Sequence, residues 1–194
     1  MQAFSGCYTA IITPMKKNCQ VDYEGLQSLV EFQLKGDVQG ILAVGTTGES
    51  PTLTWREHIK VIKKVSEFSK ERCLIIGGTG SNNTEESVKA TREVADFGVK
   101  CVLLVEPYYN GPSSLEIRKE YIEPIACEFP DVQIIPYVIP GRTGTQLLPQ
   151  DLAILHSQFK NVRAVKEATG NLENMRLTRR LCGKDFDILS GADD

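Results

Sequence analysis

The stretch "NVRAVKEATGN", Asn161 to Asn171, decides how this chain is read. Its first five residues make a short, mostly apolar run that ends in adjacent opposite charges, Lys166 and Glu167. Short apolar runs bounded by turn residues read as strands buried on both faces. Burying an amine without a partner costs free energy. Lys166 therefore has two readings, a solvated charge at a strand end or an amine that does chemistry.

Working outward, similar runs recur at intervals that leave room for one helix each. Strands are expected near 8–13, 40–44, 73–77, 100–105, 132–138, 162–166 and 186–190. The segments between them carry helix starts: Thr54-x-x-Glu57, Asn83-x-x-Glu86 and Ser113-x-x-Glu116 each fit a capping box or a close variant. Residues 54–70 place Trp55, Ile59, Ile62 and Val65 or Val61 on one face and lysines on the other. Gly98 and Gly183 are expected helix stops.

Strict alternation of strand and helix leaves a (β/α)8 barrel or an open doubly wound sheet. The placement of special residues separates them. Gly45-Thr-Thr-Gly48, Gly78-Thr-Gly80, Pro107-Tyr-Tyr-Asn110, Tyr137, Lys166 and Ser190-Gly191 all follow strands at their C-terminal ends. A barrel gathers those ends at one mouth, where active sites lie, whereas an open sheet spreads them along an edge. The barrel is the better explanation. Such barrels run to about 250 residues, and the 194-residue sequence stops just after the seventh expected strand. The expectation is one domain, 1–194, of α/β class: a TIM barrel truncated after strand seven, with the ladders of strands one and seven exposed.

Composition narrows the function class. The chain is 41% hydrophobic and 24% charged, with a net charge of -3, so nothing marks it for nucleic acid. No apolar run approaches the roughly 20 residues needed to span a bilayer, and the N-terminus does not read as a secretory signal. The six cysteines, at 7, 19, 73, 101, 127 and 182, form no C-x-x-C pair. Cys73 and Cys101 sit in expected strands, which suggests buried reduced thiols. The only histidines are His58 and His156, so no metal site is expected. A cytoplasmic, metal-free protein is the reading.

Three motifs around Lys166 bear on its chemistry. Thr46 and Thr47, between glycines, form either a plain βα turn or a nest of N–H groups and hydroxyls suited to a small carboxylate. It is not a P-loop, since no Gly-Lys-Ser/Thr follows, and GGTGSN (77–82) lacks the third glycine of a dinucleotide fingerprint. Tyr108, Tyr109 and Tyr137 are either core residues with one satisfied hydroxyl or members of a proton relay. Arg142 is either a surface residue or a bidentate clamp for a carboxylate. Within a barrel mouth, desolvation would lower the Lys166 amine's pKa and make it nucleophilic, which suits Schiff-base chemistry on a keto acid.

Taken together, the motifs TAIITPM, GTTGES (45–50), GTGSN (78–82), PYYN (107–110), YVIPGRTG (137–144), KEATGN (166–171) and LSGADD (189–194) resemble the dihydrodipicolinate synthase family. That family lies within the pyruvate-dependent lyase superfamily that includes N-acetylneuraminate lyase. GTTGE and the lysine strand are shared across the superfamily, and GRTG with Arg142 is the discriminating piece. The resemblance implies that Lys166 forms a Schiff base with pyruvate and that no separate cofactor is needed. It implies Tyr137 as proton donor and acceptor, with Thr46 and Tyr109 completing its relay. In the family that tyrosine comes from the neighbouring subunit, which implies a homodimer or homotetramer. Thr47 is implied to bind the pyruvate carboxylate, Arg142 the carboxylate of aspartate 4-semialdehyde, and Gly191 to line the pocket.

The implied reaction condenses the two substrates to 4-hydroxy-tetrahydrodipicolinate, in the lysine and diaminopimelate branch of amino-acid biosynthesis. The positions that match the lysine-binding residues of bacterial members are Ser50, Pro51, Trp55, His58, Asn82, Glu86 and Tyr108, with ordinary helix-surface chemistry as the alternative, for His58 above all. Where the family usually has asparagine after the tyrosine, this chain has Val138. The eighth βα unit and a C-terminal helical domain are expected to be missing. The competing readings are a sister lyase or aldolase acting on sugar acids or hydroxy-oxoglutarate, and a catalytically inactive truncated binding protein.

Overall fold

A computed structural model of the chain describes residues 4–192. The last two positions of the LSGADD stretch lie outside the described residues. Strands and helices alternate as expected. In chain order they are β1 (Tyr8–Ala10), α1 (Tyr23–Lys35), β2 (Gly40–Ala43), α2 (Trp55–Ser69), β3 (Leu74–Gly78), α3 (Thr84–Asp96) and β4 (Cys101–Val105). There follow α4 (Ser114–Glu116), α5 (Glu123–Glu128), β5 (Gln133–Val138), α6 (Pro140–Thr143), α7 (Pro149–Gln158), β6 (Ala164–Glu167), α8 (Leu172–Cys182) and β7 (Asp187–Ser190).

The described chain forms two compact units, one built from residues 5–78 and 90–102, the other from residues 79–89 and 103–192 together with Phe4. In the first, β1 pairs with β2 and β2 with β3, both parallel. The four residues of β2 are all buried, the pattern of a strand covered on both faces. Gly77 lies where an added side-chain carbon would meet Ile62 of α2 and Val94 of α3, both fully buried. Helix α2 opens with a complete capping box between Thr54 and Glu57. In the second unit β5 pairs with β6 and β6 with β7, again parallel. All six residues of β5 are buried, and Ile117, Tyr121, Ile122, Ile134, Leu155 and Phe186 are among its fully buried side chains. A capping box between Ser113 and Glu116 opens α4, and a π-helical turn, Ile117–Ile122, joins α4 to α5.

Several boundaries differ from the sequence reading. Strand β1 is three residues long: beyond the Ile11 N–H bond to Leu42 O the chain leaves the ladder, Ile12 is 53% exposed, and the Thr13 hydroxyl donates to Gly48 O at 2.7 Å. Strand β6 starts at Ala164; Val162 makes only an isolated bridge to Ile134, and the buried Asn161 amide donates to the carbonyls of Ala126, Phe129 and Val132. The Asn83 box is half formed. Asn83 Oδ1 accepts from the N–H groups of Glu85 and Glu86, but the Glu86 carboxylate is taken by the Ser81 hydroxyl at 2.7 Å.

The end of β2 shows how tightly the first unit is built. Val44 takes φ +57, a conformation that β-branched residues rarely adopt. Its carbonyl oxygen then lies 2.2 Å from where a side-chain carbon on Gly78 would stand. Only glycine at 78 permits that approach.

Candidate active site

Parallel register brings Tyr137 opposite Lys166, and Lys166 opposite Leu189. Register partners on adjacent strands share a face, and alternate residues along a strand point to opposite faces. Lys166 is half-buried, and its Nζ stands 4.3 Å from the centroid of the buried Tyr137 ring. Small neighbours leave room for the amine. Ala164 and Ala168 flank Lys166 on its own face, and a side-chain carbon on Gly191 would come within 2.9 Å of both Lys166 Cε and Ala168 Cβ. Lys166, Tyr137 and Gly191 are thus brought together.

The other site residues expected in this unit stand differently. Arg142 is the exposed last-turn residue of α6, whose C-cap is Gly144 at φ +72. Tyr109 is 92% exposed at φ +76, and its N–H donates to Thr143 O at 3.4 Å. Tyr108 is half-buried, Asn82 offers its carbonyl to the Asn110 amide at 3.4 Å, and Glu86 is engaged with Ser81.

In the first unit, Thr46 and Thr47 are exposed on the turn after β2, which closes through Glu49 N–H to Thr46 O and Ser50 N–H to Gly45 O. Ser50 and Pro51 begin a 3-10 turn, Ser50–Thr52. The Trp55 and His58 rings pack at a 31° tilt with centroids 4.7 Å apart. His58 is not a helix-surface residue. It is buried, and because a carbonyl can only accept, its Nε2–H donates to Gly78 O at 2.5 Å. Burial lowers its pKa, opposed by hydrogen bonds to the backbone of Gly78 and Ser50.

Sequence reasoning missed Glu106, which directly follows β4. It is 2% exposed, and its carboxylate accepts from Leu147 N–H at 2.5 Å, Ile139 N–H at 3.2 Å and the Thr143 hydroxyl at 3.2 Å. Burial raises its pKa from 4.5 to about 7 against the pull of those three donors, and nearby Glu167 adds to the rise. Glu167 is buried too and accepts from Thr169 N–H at 2.6 Å. The available signal was the one that exposed Lys166, a charged residue closing an apolar strand.

Glu106 and His58 give stability pH dependences of opposite signs. The Glu106 pKa is raised on folding, so its contribution is greatest below about pH 4.5 and is lost as pH rises toward 7. The His58 pKa is lowered, so its contribution is full above about 6.5 and is lost as pH falls through the folded value. Glu106→Gln should therefore convert a shallow wild-type profile between about pH 5 and 7 into one that only rises with pH. Urea unfolding at intervals across that range checks this; parallel profiles for the two proteins would contradict it.

The sequence profile of the dihydrodipicolinate synthetase family matches residues 3–194. This chain belongs to that family. Among curated members, the 4-hydroxy-tetrahydrodipicolinate synthase of a Methanococcus maripaludis strain is 44% identical over 189 residues, 97% of this chain and 64% of the relative. The synthase of that name from Trichlorobacter lovleyi is 44% identical over 98% of this chain and 64% of its own. The chain thus spans about two thirds of the length of the curated relatives it matches. Among solved structures, the family member from Aquifex aeolicus is 39% identical over 98% of this chain and 64% of its own, with a TM-score of 0.94. The expected fold class is borne out: parallel α/β units of the (β/α)8 barrel type, through the seventh strand. Among the described residues no helix is long and apolar enough to cross a membrane.

Proposed function

We propose that the complete protein condenses pyruvate with aspartate 4-semialdehyde through a Schiff base on Lys166, giving 4-hydroxy-tetrahydrodipicolinate in lysine and diaminopimelate biosynthesis. The observation that carries this reading is the Lys166–Tyr137 register pair, with the amine 4.3 Å from the ring centroid and glycine behind it. Family membership and the names of the curated relatives support it.

The steps assigned to the residues are these. The neutral Lys166 amine attacks the ketone carbon of pyruvate, and loss of water leaves an imine. Removal of a proton from the pyruvate methyl gives an enamine, whose carbon attacks the aldehyde of the second substrate. The amino group of that substrate then displaces Lys166 from the imine carbon, which closes the ring and frees the enzyme. Tyr137 is assigned the proton transfers, with Thr46 and Tyr109 as its relay. Thr47 is assigned the pyruvate carboxylate, Gly191 the pocket wall, and Arg142 the semialdehyde carboxylate, which a guanidinium matches bidentately. The 92% exposure of Tyr109 suits a side chain offered to a second copy of the chain, so a homo-oligomer in the cytoplasm is part of the proposal.

The test is reductive trapping. Pyruvate and borohydride should leave one stable secondary amine on the full-length protein, on the peptide that contains Lys166. Tyr137→Phe should slow trapping by at least about tenfold without moving it, in the range of one general acid–base group. Adducts scattered over several lysines would refute the assignment.

A further inference from the structure

Among the described residues, the Glu106 side chain hydrogen-bonds to one segment. Its carboxylate takes the N–H groups of Ile139 and Leu147 and the hydroxyl of Thr143, and its own N–H donates to Tyr137 O at 3.3 Å. That segment, residues 137–147, begins with the tyrosine under the Lys166 amine and carries Arg142 on its exposed turn. Without the Glu106 carboxylate the turn around Arg142 would keep the N–H bonds of Arg142, Thr143 and Gly144 to Ile139 and Pro140, and the bonds of Thr143 O and the Thr145 hydroxyl to Tyr109 and Pro112, but the N–H groups of Ile139 and Leu147 would lose their acceptor.

We infer that Glu106 is a positioning residue for the second substrate: as a carboxylate it fastens the 139–147 segment so that Arg142 is presented in one place. This rests on the role proposed for Arg142. The chemistry favours an anion over an amide. Ile139 N–H and Leu147 N–H approach different oxygens of Glu106. A glutamine would have to set its own NH2 against one of them in either orientation, since an amide offers only one acceptor atom. Protonation has the same defect, placing an O–H where a donor already points. Among the described residues, the titratable groups that face Glu106 are Glu167 on β6 and Tyr121 in the π-helical turn. The charged groups that share these elements are Arg118, Lys119 and Glu120 in the π-helical turn, Lys166 beside Glu167, and Arg142 on the fastened segment itself. Burial, and to a lesser degree Glu167, opposes ionisation of Glu106, so the fastening should loosen as pH falls below neutral.

The experiment uses the full-length protein and its Glu106→Gln variant, with two readouts. The first needs no substrate: the amide N–H resonances of Leu147 and Ile139, followed by NMR from pH 5 to 9. They should titrate together with a midpoint near 7, and Glu106→Gln should abolish that titration. The second is kinetic. The variant should raise KM for aspartate 4-semialdehyde at least about tenfold and lose the acidic limb of its kcat/KM profile, while pyruvate trapping at Lys166 changes less than about twofold. Amide resonances that do not titrate, or equal losses in both half-reactions, would overturn the inference. If the amides titrate and no condensation occurs with these substrates, the proposed function fails while the fastening by Glu106 stands. Titrating amides with an unchanged KM would overturn the link to substrate.

Discussion

Lys166→Ala should leave no borohydride-stable pyruvate adduct on the full-length protein, a loss of at least about a thousandfold. The size follows from the chemistry of the alternatives. An ordinary exposed lysine has a pKa of about 10.4, so at pH 7 about one in 2,500 of its amines is neutral and able to attack. A lysine set in a pocket against an aromatic face is presented to the ketone in a fixed position as well, and fixed presentation is worth several orders of magnitude. The substitution should spare the fold. Lys166 is half-buried between Ala164 and Ala168, and truncating it removes a charge without burying a new one. An unchanged circular dichroism spectrum and unfolding midpoint would separate lost chemistry from lost structure. Persistent trapping in the alanine protein would refute the proposed mechanism outright.

The second large effect concerns stability. Gly78→Ala should destabilise the protein by more than about 3 kcal/mol, beyond the usual range for an overpacked core site. The new carbon would stand 2.2 Å from Val44 O and 2.9 Å from Val44 C, and both are backbone atoms that no rotamer change can move. Relief must come from shifting the end of β2, where Val44 already holds an unfavourable φ, or the end of β3, where Gly78 O accepts the proton of the buried His58 ring. For a protein of this size the loss corresponds to a fall in Tm of at least about 6 °C. Gly141→Ala is the control: nothing lies within 4 Å of its added carbon and it is exposed, so its effect should stay within about 0.5 kcal/mol. Similar midpoints for the two variants would show that Val44 and Gly78 can separate at little cost.

The contrast between what the sequence disclosed and what it hid follows from the range of the forces involved. Strand identity and order were legible because parallel strands covered on both faces are apolar throughout, as β2 and β5 are. Their ends were less so. YTAIIT continues apolar past Ala10, yet the strand gives out after the Ile11 N–H bond to Leu42 O, and Thr13 bonds instead to Gly48 O, a partner 35 residues away. On α2 the pattern gave the helix and its cap, but the buried stripe includes His58, whose acceptor lies twenty residues on. Glu106 was hidden for the same reason, its partners standing 33 to 41 residues downstream. At the candidate site, Lys166 was legible as a charge closing an apolar run, and its company with Tyr137 and Gly191 follows from strand register. The exposure of Tyr109 and Arg142 depends on turn geometry, Tyr109 at φ +76 and the turn of Arg142 closed by Gly144 at φ +72, and periodicity does not report such values.

The adjacency of Lys166 and Glu167 carries one more consequence. Neighbours on a strand face opposite ways, so β6 ends by delivering an amine to one side and a carboxylate to the other. Deleting Ala164 or Val165 would exchange the two, setting an anion against the Tyr137 ring and the amine on the opposite side, even if every parallel hydrogen bond re-formed. A residue added in the exposed turn near Gly170 shifts neither. Tolerance to a one-residue change in length should therefore fall steeply between Gly170 and Val165.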